Sequence, residues 1–275
     1  MAFSVNTNAG AFAALQNLNK TSSGLQTVQS RINTGEKVSS AKDDAATFAI
    51  AQKLRGDVAG LNAVKSSLDR ASSTVDVAIA AGEAVSDLLI ELKEKAVAAK
   101  DSGLDTASRT SLNNDFSQLR SQITSIVQNA EFNGTNVVNS GGSSVVAITN
   151  DTGSNKISIA AQDLSVSGTK VTLTSSQSIG TATAAGSVVT AIESSIANVN
   201  DALSALGSGA KRIELQRGFV DKLSDSIEVG IGNLVDADLA KESAALQSLQ
   251  VKQQLGLQAL SIANQAPSTV LGLFR

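Results

Sequence analysis

Few residues in this chain have the types and spacing that chemistry requires. The run from Gly207 to Lys211 superficially resembles a phosphate-binding loop. Such a loop needs four residues between its glycines and a Ser or Thr after its lysine, and this run has neither. Asp236 and Asp238 could suggest a calcium loop, yet no third oxygen ligand and no closing glutamate follow at the required spacing. We interpret the glycine run as a helix interruption and expect neither a nucleotide site nor a metal site.

The missing residue types weaken the case for other catalytic sites. The chain has no histidine and no cysteine, so its serines lack the usual base and the chain has neither imidazole nor thiolate metal ligands. A serine–lysine dyad stays open, although no pattern marks one. The formal net charge is −3, whereas a nucleic-acid-binding domain usually has an excess of Lys and Arg. We predict that the chain is not an enzyme, needs no cofactor and binds no nucleic acid.

The two ends of the sequence are almost free of charge. Residues 1–30 contain one ionisable side chain, Lys20, and residues 243–274 contain one, Lys252. A helix on the surface of a monomer normally keeps a charged face in water. We therefore expect the two ends to be buried against each other and then against copies of the same chain.

Apolar residues recur at helical spacing within both ends, as in a coiled coil. One stripe comprises Ala11, Leu15, Leu18, Ser22, Leu25, Gln29 and Ile32, and the other comprises Ala244, Ser248, Val251, Leu255, Ala259, Ile262 and Ala266. Leu260 and other leucines lie off the second stripe, so that helix needs more than one neighbour. As self-assembly residues we predict Leu15, Leu18, Leu25, Ile32, Val251, Leu255, Leu260 and Ile262.

The ends do not resemble membrane or targeting segments. No stretch reaches the roughly 18 apolar residues of a membrane span, and the start lacks the basic region and apolar core of a secretory signal. A membrane-surface helix would usually have several Lys or Arg side chains on its polar face. We expect no membrane insertion, and export without a cleaved signal if the protein leaves the cell.

Long helices and a short β region are predicted between the ends. With Pro267 as the single proline, helices are expected over 43–100, 106–131 and 187–230. Two acidic pairs are interpreted as helix starts, where negative charge is favourable: Asp43 with Asp44, and Asp236 with Asp238. Three short alternating runs predict strands: Val145 to Thr149, Lys156 to Ala160, and Lys170 to Thr174. The predicted fold is mainly α, an elongated rod of long helices and a terminal coiled coil, with a small β-hairpin region.

Three separate runs resemble the signatures of bacterial flagellins. Gln26 to Leu54 is similar to the N-terminal signature, and Glu131 to Thr135 resembles the family's Phe-Asn-Gly turn. Leu234 to Arg275 resembles the C-terminal signature, with its Asp-Ala-Asp, its glutamine-rich helix and its Leu-Gly-Leu-Phe-Arg ending. The middle of the chain is far shorter than in flagellins with large outer domains. The run Leu89 to Lys95 has Glu91 and Lys95 where the family usually has Arg and Leu, and in this it resembles the flagellins of α-proteobacteria.

The resemblance implies a structural subunit of an extracellular flagellar filament that drives swimming. Its partners would be many copies of itself, the flagellar export apparatus, an export chaperone, the filament cap and hook–filament junction proteins. It implies a terminal coiled-coil inner layer from 1–40 with 235–275, a helical rod layer from 41–135 with 187–234, and an outward-facing β-hairpin insert from 136–186. Two alternatives are a hook–filament junction protein and a secreted enzyme with a catalytic insert.

Overall fold

Helices dominate this computed structural model, which describes residues 7–271 and their side chains to residue 265. In the described part, five helices form: α1 Ala9–Thr34, α2 Ala45–Ala99, α3 Thr106–Asn129, α4 Ala182–Val235 and α5 Leu239–Leu271. The prediction of a mainly α fold is confirmed. Pro267 lies within α5, in the part of that helix after residue 265 whose side chains are outside the described residues.

Two small antiparallel hairpins lie between α3 and α4. In the first, β1 (Glu131–Phe132) pairs with β2 (Thr135–Asn136), and Asn133 and Gly134 take φ values of 49° and 77° between them. Positive φ at both central residues suits the twist of a two-residue hairpin turn, which is why Asn-Gly is favoured there. In the second, β3 (Val145–Ile148) pairs with β4 (Lys156–Ile159). These strands confirm two of the three predicted runs.

The prediction of a third strand at Lys170 to Thr174 is wrong. This segment forms only an isolated bridge between Val166 and Val171. The Thr172 N–H donates to the Ser195 hydroxyl on α4 at 2.9 Å, and Ser195 is fully buried. A helix side chain, instead of a neighbouring strand, therefore satisfies this backbone donor.

The chain divides into two compact units, one from residues 7–56 with 226–271 and the other from 57–225. In the second unit α2 and α4 run antiparallel, because Lys65 pairs with Asp221 and Lys93 pairs with Glu193, each at 2.9 Å. Buried residues recur every three or four positions along both helices. On α4 they include Ile192, Ser195, Val199, Ala202, Leu206, Gly209 and Ile213. This unit is therefore organised around a helix–helix seam.

Helix α4 begins at Ala182, earlier than the predicted Ser187, and continues through Gly207 and Gly209 without a break. The predicted helix interruption is therefore wrong. Gly209 allows β4 to approach the helix, since a Cβ built there would lie 2.7 Å from Ile159 Cδ1 and 2.9 Å from its Cγ1. The glycine is needed for packing between hairpin and helix instead of for a turn.

We expect Gly209→Ala to destabilise the protein by about 1–2 kcal/mol. The added methyl group would overpack against the β-branched, buried Ile159, and this cost exceeds the roughly 1 kcal/mol that alanine contributes to a helix. Gly207→Ala is the matched control, because nothing lies within 4 Å of the position that a Cβ would take there, and it should stabilise the protein by about 0.5–1 kcal/mol. Urea unfolding of both variants measures the difference. Equal stabilisation by both would show that Ile159 moves aside freely.

Candidate assembly interface

The first unit is built on an antiparallel pair of helices, α1 and α5. At one end Arg31 Nη1 pairs with Glu242 Oε1 at 3.2 Å, and at the other Asn8 Nδ2 donates to the Ala263 carbonyl at 2.6 Å. Asn8 also caps α1, since its Oδ1 accepts from the Ala11 N–H at 3.0 Å. These polar contacts fix the register of the two helices.

Between the polar contacts, the helices meet through two stripes with alternating spacings of three and four residues. The stripe on α1 comprises Ala11, Ala14, Leu18, Thr21, Leu25, Val28 and Ile32, and that on α5 comprises Glu242, Leu246, Leu249, Gln253, Gly256, Leu260 and Ala263; all are buried or half-buried. A Cβ at Gly256 would lie 3.3 Å from Leu18 Cδ1. The absence of a side chain at Gly256 therefore lets Leu18 approach the α5 backbone.

On α1, the predicted residues Leu18, Leu25 and Ile32 lie on the stripe that faces α5. Leu25 is 7% exposed, whereas Leu15 is 43% exposed and lies one position beyond the contacting Ala14. Counted from Ala11, the predicted stripe advances by four residues and then three. The stripe that packs against α5 advances by three and then four, so the predicted order is wrong for the contact within the chain.

On α5, the pair uses a different face from the one that the sequence favoured. Leu260 faces α1, but Val251, Leu255 and Ile262 are 54%, 57% and 70% exposed. Sequence analysis missed Leu246, Leu249 and Gly256 as contact residues. The glycine and the charge pair Arg31–Glu242 were signals that could have identified this face. The assembly role of the eight predicted residues stays a prediction.

The exposed apolar side chains lie on two sides of the helix pair. The contacting stripes are taken as heptad positions a and d. Leu15 and Leu257 then occupy e positions, and Phe12 occupies a neighbouring b position. We name these three residues flank 1. Leu255 and Ile262 occupy c positions and Val251 an f position of α5, and these form flank 2. In an antiparallel pair, the e positions of both helices border one side of the seam and the g and c positions the other. The pair therefore has two separate apolar flanks.

A backbone clip joins the chain segments beside the pair. The Lys37 N–H donates to the Val235 carbonyl at 2.6 Å, and the Ala237 N–H donates to the Gly35 carbonyl at 2.8 Å. Gly35 ends α1 with a φ of 74°, in the left-handed region that glycine adopts readily. Glu36, which forms a bridge with Asp236, also pairs with Arg55 at 2.9 Å. The clip thus brings the residues after α1 and before α5 together.

The four aspartates predicted at helix starts have two different environments. Asp44 accepts hydrogen bonds from the Ala46 and Thr47 N–H groups, and Asp238 accepts from those of Ala240 and Lys241, at 3.0–3.1 Å. These two side chains therefore cap α2 and α5.

The other two aspartates lie before the helices. Asp43 accepts from the backbone and hydroxyl groups of Ser39 and Ser40 and closes the turn before α2. Asp236 belongs to the clip, and its N–H donates to the Gly232 carbonyl at 2.8 Å.

We expect the first turn of α2 to loosen in acid. Hydrogen bonds from the Thr47 backbone and hydroxyl hold the pKa of Asp44 below its ordinary value. A lowered folded-state pKa means that this stabilisation is present above the ordinary aspartate pKa near 3.9 and is lost as the pH falls further. The protection factor of the Thr47 amide against hydrogen exchange should therefore fall below about pH 4. Asp44→Asn is the control, since asparagine caps equally well without titrating; an equal loss of protection there would contradict the explanation.

Among the described residues, no group of three or more acidic side chains is placed to hold a metal ion. Within the same part of the chain, none of the helices is long and apolar enough to cross a membrane. The helix pair is the candidate functional surface because its two flanks expose six large apolar side chains.

Comparisons with known proteins match two long regions of the chain to one family. Residues 5–143 match the family described as the bacterial flagellin N-terminal helical region, and residues 189–274 match the bacterial flagellin C-terminal helical region. Flagellin FljK of Caulobacter vibrioides is 49% identical over 272 residues, which cover 99% of this chain and 98% of that protein.

Two solved structures share the fold at low sequence identity. A Bacillus cereus flagellin has a TM-score of 0.51 at 19% identity, over 56% of this chain and 88% of that one. A Vibrio parahaemolyticus protein described as flagellar hook-associated has a TM-score of 0.59 at 15% identity, over 70% of this chain and 100% of that one. At these identities the likeness concerns the fold alone.

Proposed function

This chain belongs to the bacterial flagellin family and is a structural subunit of the extracellular flagellar filament, and we propose that flanks 1 and 2 of its α1–α5 pair join its copies. The observation behind this proposal is the exposure of Phe12, Leu15, Val251, Leu255, Leu257 and Ile262 on two sides of one helix pair. Full burial of an exposed side chain of this size contributes about 1.5–3 kcal/mol, and burying the exposed half of each of these contributes about half of that.

The placement of the flanks favours a polymer over a closed dimer. If flank 1 met flank 1 of a second copy, flank 2 of both copies would stay exposed to water. If flank 1 of one copy meets flank 2 of the next, every copy keeps one free flank for a further copy. A contact between two different surfaces produces an open helical polymer unless its rotation closes a ring. Heterologous contact therefore suits a filament.

The layers predicted from the sequence complete the proposal. Residues 1–40 with 235–275 form the inner layer, 41–135 with 187–234 the helical layer around it, and 136–186 the outward-facing insert. The charge-poor helices are suited to the inner layer because contacts without ionised groups avoid the cost of burying charge. Amide side chains such as Gln247, Gln250 and Gln254 can form hydrogen bonds across the layer.

The remaining partners follow from the place of the subunit in a flagellum. We infer export through the flagellar apparatus without a cleaved signal, with the help of an export chaperone, and addition of copies beneath a filament cap. The base of the filament would join hook–filament junction proteins. A catalytic role is not part of the proposal, because the chain lacks histidine and cysteine and its family is structural.

Introduced cysteines can test the heterologous contact, since the natural chain has none. Leu15→Cys places a thiol on flank 1 and Leu255→Cys places one on flank 2. After assembly, a short bis-maleimide linker should join the double variant into a ladder of dimers, trimers and longer chains. Each single variant should stay monomeric. Efficient dimers from either single variant would indicate contact between identical flanks and would overturn the proposal.

A further inference from the structure

Two lysines lie at the same level of the α1–α5 pair. The contacts between Leu18 and Gly256 and between Gly24 and Leu249 bracket Lys20 on α1 and Lys252 on α5. Both lysine side chains are exposed. Since one helical turn spans about 5.4 Å, the antiparallel register places the two residues within about one turn of each other along the pair.

The same two lysines lie on one side of the pair. In the heptads defined by the contacting stripes, Lys20 occupies a c position of α1 and Lys252 a g position of α5. Positions c and g of the two antiparallel helices border the same side of the seam. This is the side of flank 2, where Leu255 and Ile262 are exposed.

The helices that supply these lysines offer no carboxylate to balance them. Residues 9–30 and 243–265 contain neither Asp nor Glu. Glu242, the nearest carboxylate along α5, lies about 15 Å from Lys252 at 1.5 Å per residue. That exceeds the Debye length of roughly 8 Å at physiological salt, and Glu242 already pairs with Arg31 at 3.2 Å. A second copy that docks its flank 1 here adds no counter-charge, because the same residue ranges of that copy also lack Asp and Glu.

We propose that assembly through flank 2 creates a binding site for a divalent inorganic oxyanion at Lys20 and Lys252. The site rests on the proposed function, because it forms only when copies join. Each ammonium group offers three N–H donors to oxyanion oxygens, and an anion removes the cost of enclosing two unbalanced cations. An anion that binds the polymer but not the monomer must stabilise the polymer.

The test measures how the critical concentration for assembly depends on inorganic phosphate. Parental protein is polymerised from 1 to 100 mM phosphate, with ionic strength kept constant by sodium chloride, and free subunit is measured after sedimentation. For a site with a Kd on the order of 10 mM, the critical concentration should fall about tenfold. The variant Lys20→Gln/Lys252→Gln should show little dependence and should assemble without phosphate. Labelled phosphate should sediment with parental filaments but not with variant filaments.

A second double variant separates this site from the general effect of phosphate on apolar burial. Lys42→Gln/Lys53→Gln removes the same charge from two other exposed lysines and should keep the parental dependence. Two outcomes would overturn the anion site while the assembly proposal stands. One is an equal dependence of the critical concentration on phosphate in all three proteins, and the other is that labelled phosphate fails to sediment with parental filaments. Failure of the parental chain to polymerise under every condition would instead contradict the proposed assembly surface.

Discussion

Replacing Leu255 with aspartate should give a monomer that keeps its helical content but forms no filament. Leu255 is 57% exposed within the chain, so the change leaves the contacts between α1 and α5 intact. Assembly through flank 2 would enclose a carboxylate in place of an apolar side chain, and its desolvation, which Lys252 three residues away offsets only in part, costs roughly 3 kcal/mol. The critical concentration should rise more than about a hundredfold, since 1.4 kcal/mol corresponds to a factor of ten. Sedimentation and electron microscopy measure the loss, and circular dichroism checks the helices.

The matched control for this variant is Ser23→Asp. Ser23 is exposed on α1 at an f position, opposite the seam with α5, whereas every residue of flank 2 lies on α5, and the change introduces the same charge. It should raise the critical concentration far less than Leu255→Asp does. Ordinary filaments from Leu255→Asp would show that flank 2 is not an assembly surface.

Removal of residues 1–35 should also abolish the filament, for a different reason. Without α1, the inner stripe of α5 loses its partner, and Leu246, Leu249 and Leu260 become exposed together with flank 2. A single helix without tertiary contacts is marginally stable in water. We expect the shortened chain to show no filaments by negative-stain electron microscopy at concentrations where the intact chain assembles.

Adding back the missing segment tests whether the pair itself is required. A separate peptide of residues 1–38 contains all of α1 and the N-terminal half of the clip. If the α1–α5 pair forms the assembly surface, a molar excess of peptide should restore some filament growth. A scrambled peptide of the same composition should not. Filaments from the shortened chain alone would show that assembly does not need α1.

The helical framework could be predicted from the sequence because long periodic segments with few breakers leave little ambiguity. The observed α2, Ala45–Ala99, differs by one or two residues from the prediction of 43–100. Local patterns were less informative where tertiary packing decides the outcome. Gly209 has the sequence context of a helix breaker, but its role depends on Ile159, fifty residues earlier in the chain. The predicted strand at Lys170 to Thr174 failed because α4 satisfies its backbone donor.

The choice of face on α5 illustrates a physical limit of periodicity. That helix has apolar residues on two faces, so the pattern predicts two neighbours without saying which of them is α1. The inner face includes Gly256 and Gln253, which lower its apparent hydrophobicity, and therefore the pattern favours the more apolar outer stripe. A partner within the chain can pack against a small residue, as Leu18 does at Gly256. Apolar pattern alone does not record such complementarity.

The clip has a consequence for how much the rest of the chain can vary. Because the Lys37 and Val38 N–H groups both donate to the Val235 carbonyl, the polypeptide leaves and re-enters the α1–α5 pair at a single point. Any sequence whose own ends meet can then join these two positions without disturbing the register of α1 and α5. Loop-closure entropy opposes a longer connection only weakly, by about 0.6 kcal/mol for each doubling of length. The clip is thus a natural graft point at which foreign domains could be displayed along a filament.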